Sequence, residues 1–164
     1  MPTATDIFKR HQAQTFPFPS CIEITSAKGN YITDVNGKAY LDFVAGVSAC
    51  TLGHSNPIII EAVKDQLDKY THVMVYGEFV QSPQYRLAKL LADNLPENLS
   101  TTYFVNSGAE AIEGAMKLAK RATGRSEIIS CKDSYHGSTQ GALSIMGNEE
   151  HKACLLYTSP SPRD

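Results

Sequence analysis

The sequence predicts an α/β fold, and three patterns carry this prediction. Two strand-like runs flank the dipeptide Asn36-Gly37, which suits a tight hairpin turn. Two further runs have apolar residues at helical spacing and begin at capping or proline residues. Finally, an amphipathic run over residues 108–122 separates β-rich runs at residues 101–105 and 127–131. This is a β-α-β pattern, and its crossover is long enough to join parallel strands.

The composition is that of a globular protein with no nucleic-acid or membrane partner. Of the 164 residues, 42% are hydrophobic and 20% are charged, and the formal net charge is -2. No basic surface is therefore expected for nucleic acid or an anionic membrane. The four cysteines form no C-x-x-C pair, which argues against a disulfide framework or a zinc site. Since neither a signal peptide nor a membrane-spanning apolar run is present, a reduced, cytoplasmic protein is expected.

The N-terminal third is predicted to hold a short helix and a small antiparallel sheet. Residues 3–15 are typical of a helix or arm, and the prolines within residues 16–19 require an extended connector. Residues 21–25 alternate like a strand. Residues 30–43 predict a hairpin with a type I′ turn at Asn36-Gly37.

Two capped helices are predicted next. The first covers residues 57–70, with Ser55 or Asn56 as its cap and Pro57 at its first position. The second covers residues 82–95 and carries leucines along one face.

The turn between the strand at 101–105 and the following helix allows two interpretations. Ser107 and Glu110 match a capping box, which is a common and purely structural way to begin a helix. A helix start also presents unpaired N–H groups and the positive end of the helix dipole, and the small residues Gly108 and Ala109 would let a phosphate reach them. Neither a Walker A loop nor a G-x-G-x-x-G fingerprint is present, so the turn alone indicates only a possible phosphate site.

A second loop follows the strand at 127–131. It forms the first part of the segment 133–147, and the later part of that segment is predicted to be either helix or strand. In α/β sheets ligands gather at the carboxyl ends of strands, where both this loop and the Ser107 turn are expected. Tyr135 offers a flat aromatic face and His136 a hydrogen-bonding ring, which together suit a phosphorylated aromatic ligand. Ordinary core packing for Tyr135 and a surface position for His136 are the alternatives.

Four motifs, in order and at matching spacing, resemble the class III pyridoxal-phosphate aminotransferases, which include the acetylornithine, ornithine and 4-aminobutyrate enzymes. The resemblance covers residues 5 to 150, and its motifs are DVNGKAYLDFVAG (34–46), LGHSNP (52–57), FVNSGAEAIEGAMKLAKRATG (104–124) and YHGSTQGALS (135–144).

The resemblance implies a role for each site residue. Ser107 and the backbone of Gly108 and Ala109 would bind the phosphate of pyridoxal 5'-phosphate. Tyr135 would stack on its ring, and His136 and Gly137 would shape the pocket beside it. It also implies transamination, in which an amino group moves between a small-molecule amino donor and a 2-oxo acid acceptor. The family's enzymes are dimers, so a homodimer is expected of the full-length parent.

The resemblance implies an incomplete fold of the pyridoxal-phosphate-dependent fold type I. Residues 1–75 would be the N-terminal arm, hairpin and helix of the small domain, and residues 76–153 the start of the large cofactor-binding domain. Strands from elsewhere in the family fold would lie between those at 101–105 and 127–131, leaving apolar faces uncovered. Residues 154–164 resemble the translation of a transposon sequencing adapter, a contaminant at the ends of metagenomic gene predictions, and are expected not to be native. The alternative is a genuine Ser/Pro-rich disordered tail.

Two features limit what the resemblance implies about catalysis and substrate. The family's Schiff-base lysine lies well beyond the YHG motif, and no lysine of this chain matches it, so the chain alone is expected to be inactive. Family members that act on acetylornithine or 4-aminobutyrate usually have Arg where this chain has Ser138, and the ornithine enzymes have Tyr where it has Val47. Two other interpretations stay open, namely a mutase or decarboxylase of the same fold type and a non-catalytic phospholigand-binding module.

Overall fold

The computed structural model describes residues 1–16, 18–74, 76–148 and 152. The elements in chain order are α1 (Ala4–His11), β1 (Ile24–Lys28), β2 (Tyr31–Asp34), β3 (Ala39–Leu41), α2 (Ala45–Ser48), α3 (Pro57–Leu67), α4 (Ser82–Asn94), α5 (Gly108–Thr123) and α6 (Gln140–Ser144). They fall into two compact units, Met1–Phe79 and Val80–Asp164. The assignment of residues 1–75 and 76–153 to a small and a large domain stays a prediction, and the predicted non-native segment 154–164 lies outside the described residues.

The first unit is built around an antiparallel sheet with strand order β1-β2-β3. The first strand, β1, begins later in the chain than the predicted strand at 21–25, because it extends only where it pairs with β2. Its last residue, Lys28, pairs with Tyr31 across a turn in which Gly29 has φ +58°. Gly29 also exchanges both backbone hydrogen bonds with His54, at 2.9 and 2.8 Å, and so ties the sheet to the segment before α3.

The hairpin between β2 and β3 is confirmed, but its predicted two-residue type I′ turn is wrong. Only Gly37, at φ +78°, has a positive φ, whereas a type I′ turn requires one at Asn36 as well. The Asp34 N–H donates to the Lys38 carbonyl at 3.0 Å, so the loop contains three residues. The Asp34 carboxylate accepts hydrogen bonds from the backbone of Asn36 and Lys38, at 2.9 and 3.0 Å, which stabilises the longer loop.

The predicted helices are present with small shifts at their ends. Asn56, and not Ser55, caps α3, since its side chain accepts a hydrogen bond from the Ile58 N–H at 3.0 Å. Pro57 occupies the first helical position, as predicted. Helix α4 ends at Asn94 because the next residue, Leu95, precedes a proline and is extended.

Helix α5 is the longest element of the second unit and matches its prediction to within one residue. Ser107 is its N-cap, and Gly124, in the left-handed region at φ +70°, ends it. Helix α6 resolves the open assignment within residues 133–147 in favour of a short helix, which contacts α5.

The strands predicted at residues 101–105 and 127–131 are absent from the described structure, and so is the parallel pair that the β-α-β pattern predicts. Both segments are non-helical, and neither pairs with another strand among the residues that the structure describes. A strand requires a hydrogen-bonded neighbour, and residues 127–131 are not that neighbour for residues 101–105.

The buried apolar side chains of the described residues belong to α6 and the residues beside it: Ala142, Leu143 and Met146 are at most 2% exposed. Elsewhere large apolar side chains are open to solvent. Ile58 on α3 is 80% exposed, Leu118 on α5 is 68% exposed, and Ile129 is 99% exposed. Ile58 and Leu118 therefore belong to apolar helix surfaces that the described residues leave uncovered, whereas α6 packs against α5.

Candidate functional site

The start of α5 forms the first part of the candidate site. Ser107 is extended, at φ -151° and ψ 161°, and its hydroxyl accepts a hydrogen bond from the Glu110 N–H at 3.2 Å. In a complete capping box the Glu110 carboxylate would accept a hydrogen bond from the Ser107 N–H. Here it accepts one from the N–H of Asn106, the residue before the cap, at 2.8 Å. Glu110 therefore fixes the chain entering the helix.

The first turn of α5 is open to a ligand. Apart from its chain neighbours and the nearby backbone of its own helix, no atom of the described residues lies within 4 Å of where a Cβ on Gly108 would be. The backbone N–H groups of Gly108 and Ala109 have no hydrogen-bond partner among the described residues. Unpaired N–H groups at the positive end of a helix dipole favour an anion, so this turn can receive a phosphate.

Tyr135 lies in the loop that precedes α6. Its side chain is 68% exposed, so the predicted alternative of core packing does not hold within the described structure. The hydroxyl oxygens of Tyr135 and Ser138 are 3.5 Å apart. The loop closes on itself, because the Gly147 N–H donates to the Ser134 carbonyl at 2.9 Å. The aromatic ring is thus available for contact at the edge of a closed loop.

His136 is partly buried and not a surface histidine. Its Nε2 atom is buried, and none of the described residues forms a hydrogen bond with it. A buried polar atom without a partner is unfavourable, which makes this nitrogen a candidate for contact with a bound group.

Gly137 brings the two predicted segments together. Its φ is +115°, and a Cβ at this position would lie 2.5 Å from the Ala109 Cβ. Only glycine permits this approach and this backbone conformation. The loop that carries Tyr135 and His136 therefore lies against the first turn of α5, as the sequence predicts for the ends of the two segments.

Glu113 is a further residue at this junction, and the sequence analysis does not identify it. One of its carboxylate oxygens, Oε1, accepts hydrogen bonds from the Thr139 hydroxyl at 2.8 Å and from the backbone N–H groups of Gly141 and Ala142 at 2.8 and 3.1 Å. The bond from Thr139 lowers the pKa of Glu113 most, and the backbone bonds outweigh the opposing effect of burial. A signal was present, because the N-terminal N–H groups of α6 need an acceptor that no acidic residue in its own first turn supplies.

The first unit contains a second polar cluster that the sequence analysis does not identify. The Asp42 carboxylate accepts from the Val44 and Ala45 N–H groups at 2.8 and 3.0 Å, and lies 2.6 Å from His54 Nε2. The hydrogen bond from His54 is the main cause that lowers the pKa of Asp42. Asp42 lies shortly before α2, a short turn whose residues have left-handed backbone angles. Within this turn Val47 has φ +56° and is 86% exposed.

Other kinds of site are not found in the part of the chain that the structure describes. No group of three or more His, Cys, Asp or Glu side chains there could hold a metal ion. Over the same residues, no helix combines the length and the apolar character that crossing a bilayer requires.

Comparison with known proteins gives consistent matches. The family model for class III aminotransferases matches residues 12–162. An acetylornithine aminotransferase of Archaeoglobus fulgidus is 40% identical over 144 residues, which make up 88% of this chain and 37% of that enzyme. The chain thus spans little more than a third of the length of this relative.

Solved structures with the same fold are also transaminases. A transaminase from the marine bacterium Virgibacillus matches with a TM-score of 0.84 at 29% identity, over 92% of this chain and 37% of that one. The taurine:2-oxoglutarate aminotransferase of Bifidobacterium kashiwanohense, solved in complex with PLP and glutamate, matches with a TM-score of 0.82 at 32% identity, over 96% of this chain and 35% of that one.

The fold is therefore part of the α/β fold of the pyridoxal-phosphate-dependent transaminases. Enzymes of this class use pyridoxal phosphate, and the family model covers all four motifs that the sequence analysis singles out. The chain belongs to the class III aminotransferase family.

Proposed function

We propose that this chain is part of a pyridoxal-phosphate aminotransferase that moves an amino group between an amino acid or ω-amino acid and a 2-oxo acid. One observation carries the proposal: the first turn of α5, with its unpaired N–H groups, lies against Gly137, two residues after the exposed ring of Tyr135. Since the chain spans about a third of its relatives, the activity is proposed for the complete enzyme to which these residues belong.

The residues present fit the cofactor. Ser107 with the N–H groups of Gly108 and Ala109 would hold its phosphate, because Gly108 leaves open space and the helix start favours an anion. Tyr135 would stack on its ring, and the unpartnered Nε2 of His136 would contact the bound group. When bound, the cofactor acts as an electron sink for the carbon that carries the amino group.

The part that these residues play is binding and orientation. A phosphate at the start of α5 anchors one end of the cofactor, and an aromatic face limits the tilt of its ring. The covalent link to a lysine falls to another part of the complete enzyme, because no lysine of this chain lies in the context of the family's catalytic lysine. The chain by itself is therefore proposed to be inactive.

The substrate is proposed only as a class. Ser138 lies beside Tyr135 and cannot form the paired hydrogen bonds with a carboxylate that Arg forms at this position in acetylornithine-type and 4-aminobutyrate-type enzymes. Val47 replaces the tyrosine of the ornithine enzymes. The proposed amino donor is therefore a substrate whose carboxylate, if it has one, is bound by residues other than these two.

We further propose that the complete enzyme is a cytoplasmic homodimer, as the family resemblance implies. Its active sites would lie at the subunit boundary, with Tyr76 near the interface or the pocket. Sedimentation velocity at assay concentrations tests the dimer, and a fully active monomer would contradict it.

The proposal predicts that Gly108→Leu in the complete enzyme weakens cofactor binding more than folding. The leucine side chain would fill the space through which the phosphate reaches the helix start. Losing one hydrogen bond to a charged group costs about 1.5–3 kcal/mol, so the dissociation constant should rise roughly 10–100-fold. Equilibrium dialysis measures the binding, and denaturant unfolding of the cofactor-free enzyme measures the stability.

The matched control is Ala122→Leu, which adds the same side chain at an exposed position near the other end of α5. It should leave cofactor binding unchanged. If Gly108→Leu retains the cofactor as well as Ala122→Leu does, the start of α5 does not hold the phosphate.

A further inference from the structure

The loop that carries Tyr135 and His136 touches α5 at two levels. At the first turn of the helix, Gly137 meets Ala109. One turn further along, the Glu113 carboxylate binds the start of α6. Residues 109 and 113 are four apart and lie on the same face of the helix.

The Glu113 contact concentrates on a single atom. Oε1 accepts from one hydroxyl and two backbone N–H groups, so it satisfies Thr139 and two residues of the first turn of α6 at once. A Cβ at Gly141 would overlap the carboxylate, so glycine at this position is what lets Glu113 approach the backbone. The contact therefore depends on the carboxylate of Glu113 and on the absence of a side chain at Gly141.

No other side-chain hydrogen bond joins α5 to residues 133–144 in the part of the chain that the structure describes. Glu113 is therefore the polar connection that holds this loop at a set distance from the start of the helix. Tyr135 and His136 precede the connection by only a few residues in the same loop.

We infer that Glu113 is a positioning residue for cofactor binding: it holds the loop of Tyr135 and His136 in register with the phosphate-binding start of α5. This inference rests on the proposed function. Glu113 does not contact the cofactor itself. Its role is to make one site out of two segments, one for the phosphate and one for the ring.

The inference predicts a difference between two ligands of the complete, cofactor-free enzyme. Pyridoxamine 5'-phosphate needs both segments and forms no link to lysine, whereas inorganic phosphate needs only the start of α5. Glu113→Ala should raise the dissociation constant of pyridoxamine 5'-phosphate about tenfold or more, because misplaced binding groups lose affinity steeply. It should change that of inorganic phosphate less than about twofold, since the helix start keeps its own contacts.

Two further variants keep the test sharp if Glu113→Ala folds poorly. Glu113→Gln retains an oxygen acceptor at the position of Oε1 and should stay within about threefold of the wild type. Thr139→Val removes one of the three donors and should raise the dissociation constant of pyridoxamine 5'-phosphate about threefold. Thr123→Val makes the same substitution at the far end of α5. The Thr123 hydroxyl donates to the Ala119 carbonyl and accepts from the Arg125 N–H, both remote from the loop, so this variant should change neither affinity.

Each outcome decides the question. Selective loss of pyridoxamine 5'-phosphate affinity with rescue by glutamine supports the inference. Equal loss for both ligands makes Glu113 a general stabilising residue and overturns the inference, as does no loss for either. A wild-type enzyme that binds inorganic phosphate but not pyridoxamine 5'-phosphate overturns the proposed function itself, and the inference with it.

Discussion

Gly137 lies so close to α5 that a methyl group in place of its hydrogen would be 2.5 Å from the Ala109 Cβ. The close approach is what joins the aromatic loop to the helix start. Its backbone, at φ +115°, is also one that residues with a Cβ rarely adopt. Both the space and the conformation therefore require glycine.

Gly137→Ala in the complete enzyme is expected to lower the free energy of unfolding by about 1–3 kcal/mol, because alanine is strained at this φ and overlaps Ala109. Denaturant unfolding without cofactor measures the change. Gly77→Ala is the control, since a Cβ there meets no described atom within 4 Å beyond its chain neighbours and its φ is not positive. Equal stability of the two variants would show that the loop does not approach the helix as closely as described.

Individual site residues differ in how far the sequence reveals them. Ser107, Gly108 and Ala109 could be predicted because a helix start has a short, local signature. The start of α6 needs an acceptor, but the sequence does not show that Glu113 supplies it, because the partners of Glu113 are 26 to 29 residues away along the chain and no periodicity links them. The mutual fit of Gly137 and Ala109 is also a tertiary property.

At the level of secondary-structure elements, the hairpin between β2 and β3 depends on one carboxylate. Asp34 accepts three hydrogen bonds, two from the backbone of Asn36 and Lys38 and one, at 2.9 Å, from the Tyr40 hydroxyl. Burial raises the pKa of Asp34, but these hydrogen bonds outweigh it, so the pKa lies below its usual range. The charged form is therefore the one that stabilises the hairpin.

The sign of the pH dependence follows from this direction. The folded pKa is below the unfolded value of about 3.9, so the stabilisation is complete above that value and is lost as the pH falls through the folded pKa. Asp34→Ala in the complete enzyme should speed hydrogen exchange of the Lys38 and Asn36 amides roughly 5–10-fold near neutral pH. The difference from the wild type should shrink below about pH 4.

Asp34→Asn serves as the comparison, because it keeps one acceptor oxygen. Its amide exchange rates should lie between those of the wild type and those of Asp34→Ala. Hydrogen exchange followed by mass spectrometry gives the measurement. Identical exchange in the wild type and Asp34→Ala near neutral pH would mean that the side chain does not hold the loop.

The helices were the most predictable elements, and the strands the least. Pro57, Asn56 and Gly124 mark helix ends through local chemistry, and the structure places the ends of α3 and α5 at or within a few residues of the predicted positions. The segments 101–105 and 127–131 have β-rich sequences but no ladder in the described structure. Strand formation depends on a partner that local sequence cannot supply.

At the scale of the whole molecule, exposed apolar side chains are the feature that most affects solubility. Ile58, Leu118 and Ile129 are all more than two-thirds exposed, while the buried apolar side chains of the described residues cluster around α6. With a net charge of -2, self-repulsion does little to prevent association.

Residues 1–164 expressed alone are therefore expected to be insoluble or loosely collapsed and to lack a cooperative thermal transition. They should also form no site-specific link to pyridoxal phosphate, since we propose that the lysine forming it belongs to another part of the complete enzyme. Circular dichroism on heating, together with borohydride reduction and peptide mapping, tests both statements. A sharp transition with a single labelled lysine would contradict them.

The start of α5 and the loop before α6 are proposed to form one site for pyridoxal phosphate. The most direct test is a crystal structure of the complete enzyme with the cofactor bound. We predict phosphate oxygens within hydrogen-bonding distance of the Gly108 and Ala109 N–H groups and a pyridine ring stacked on Tyr135. A phosphate bound elsewhere, or a ring that does not contact Tyr135, would contradict the account.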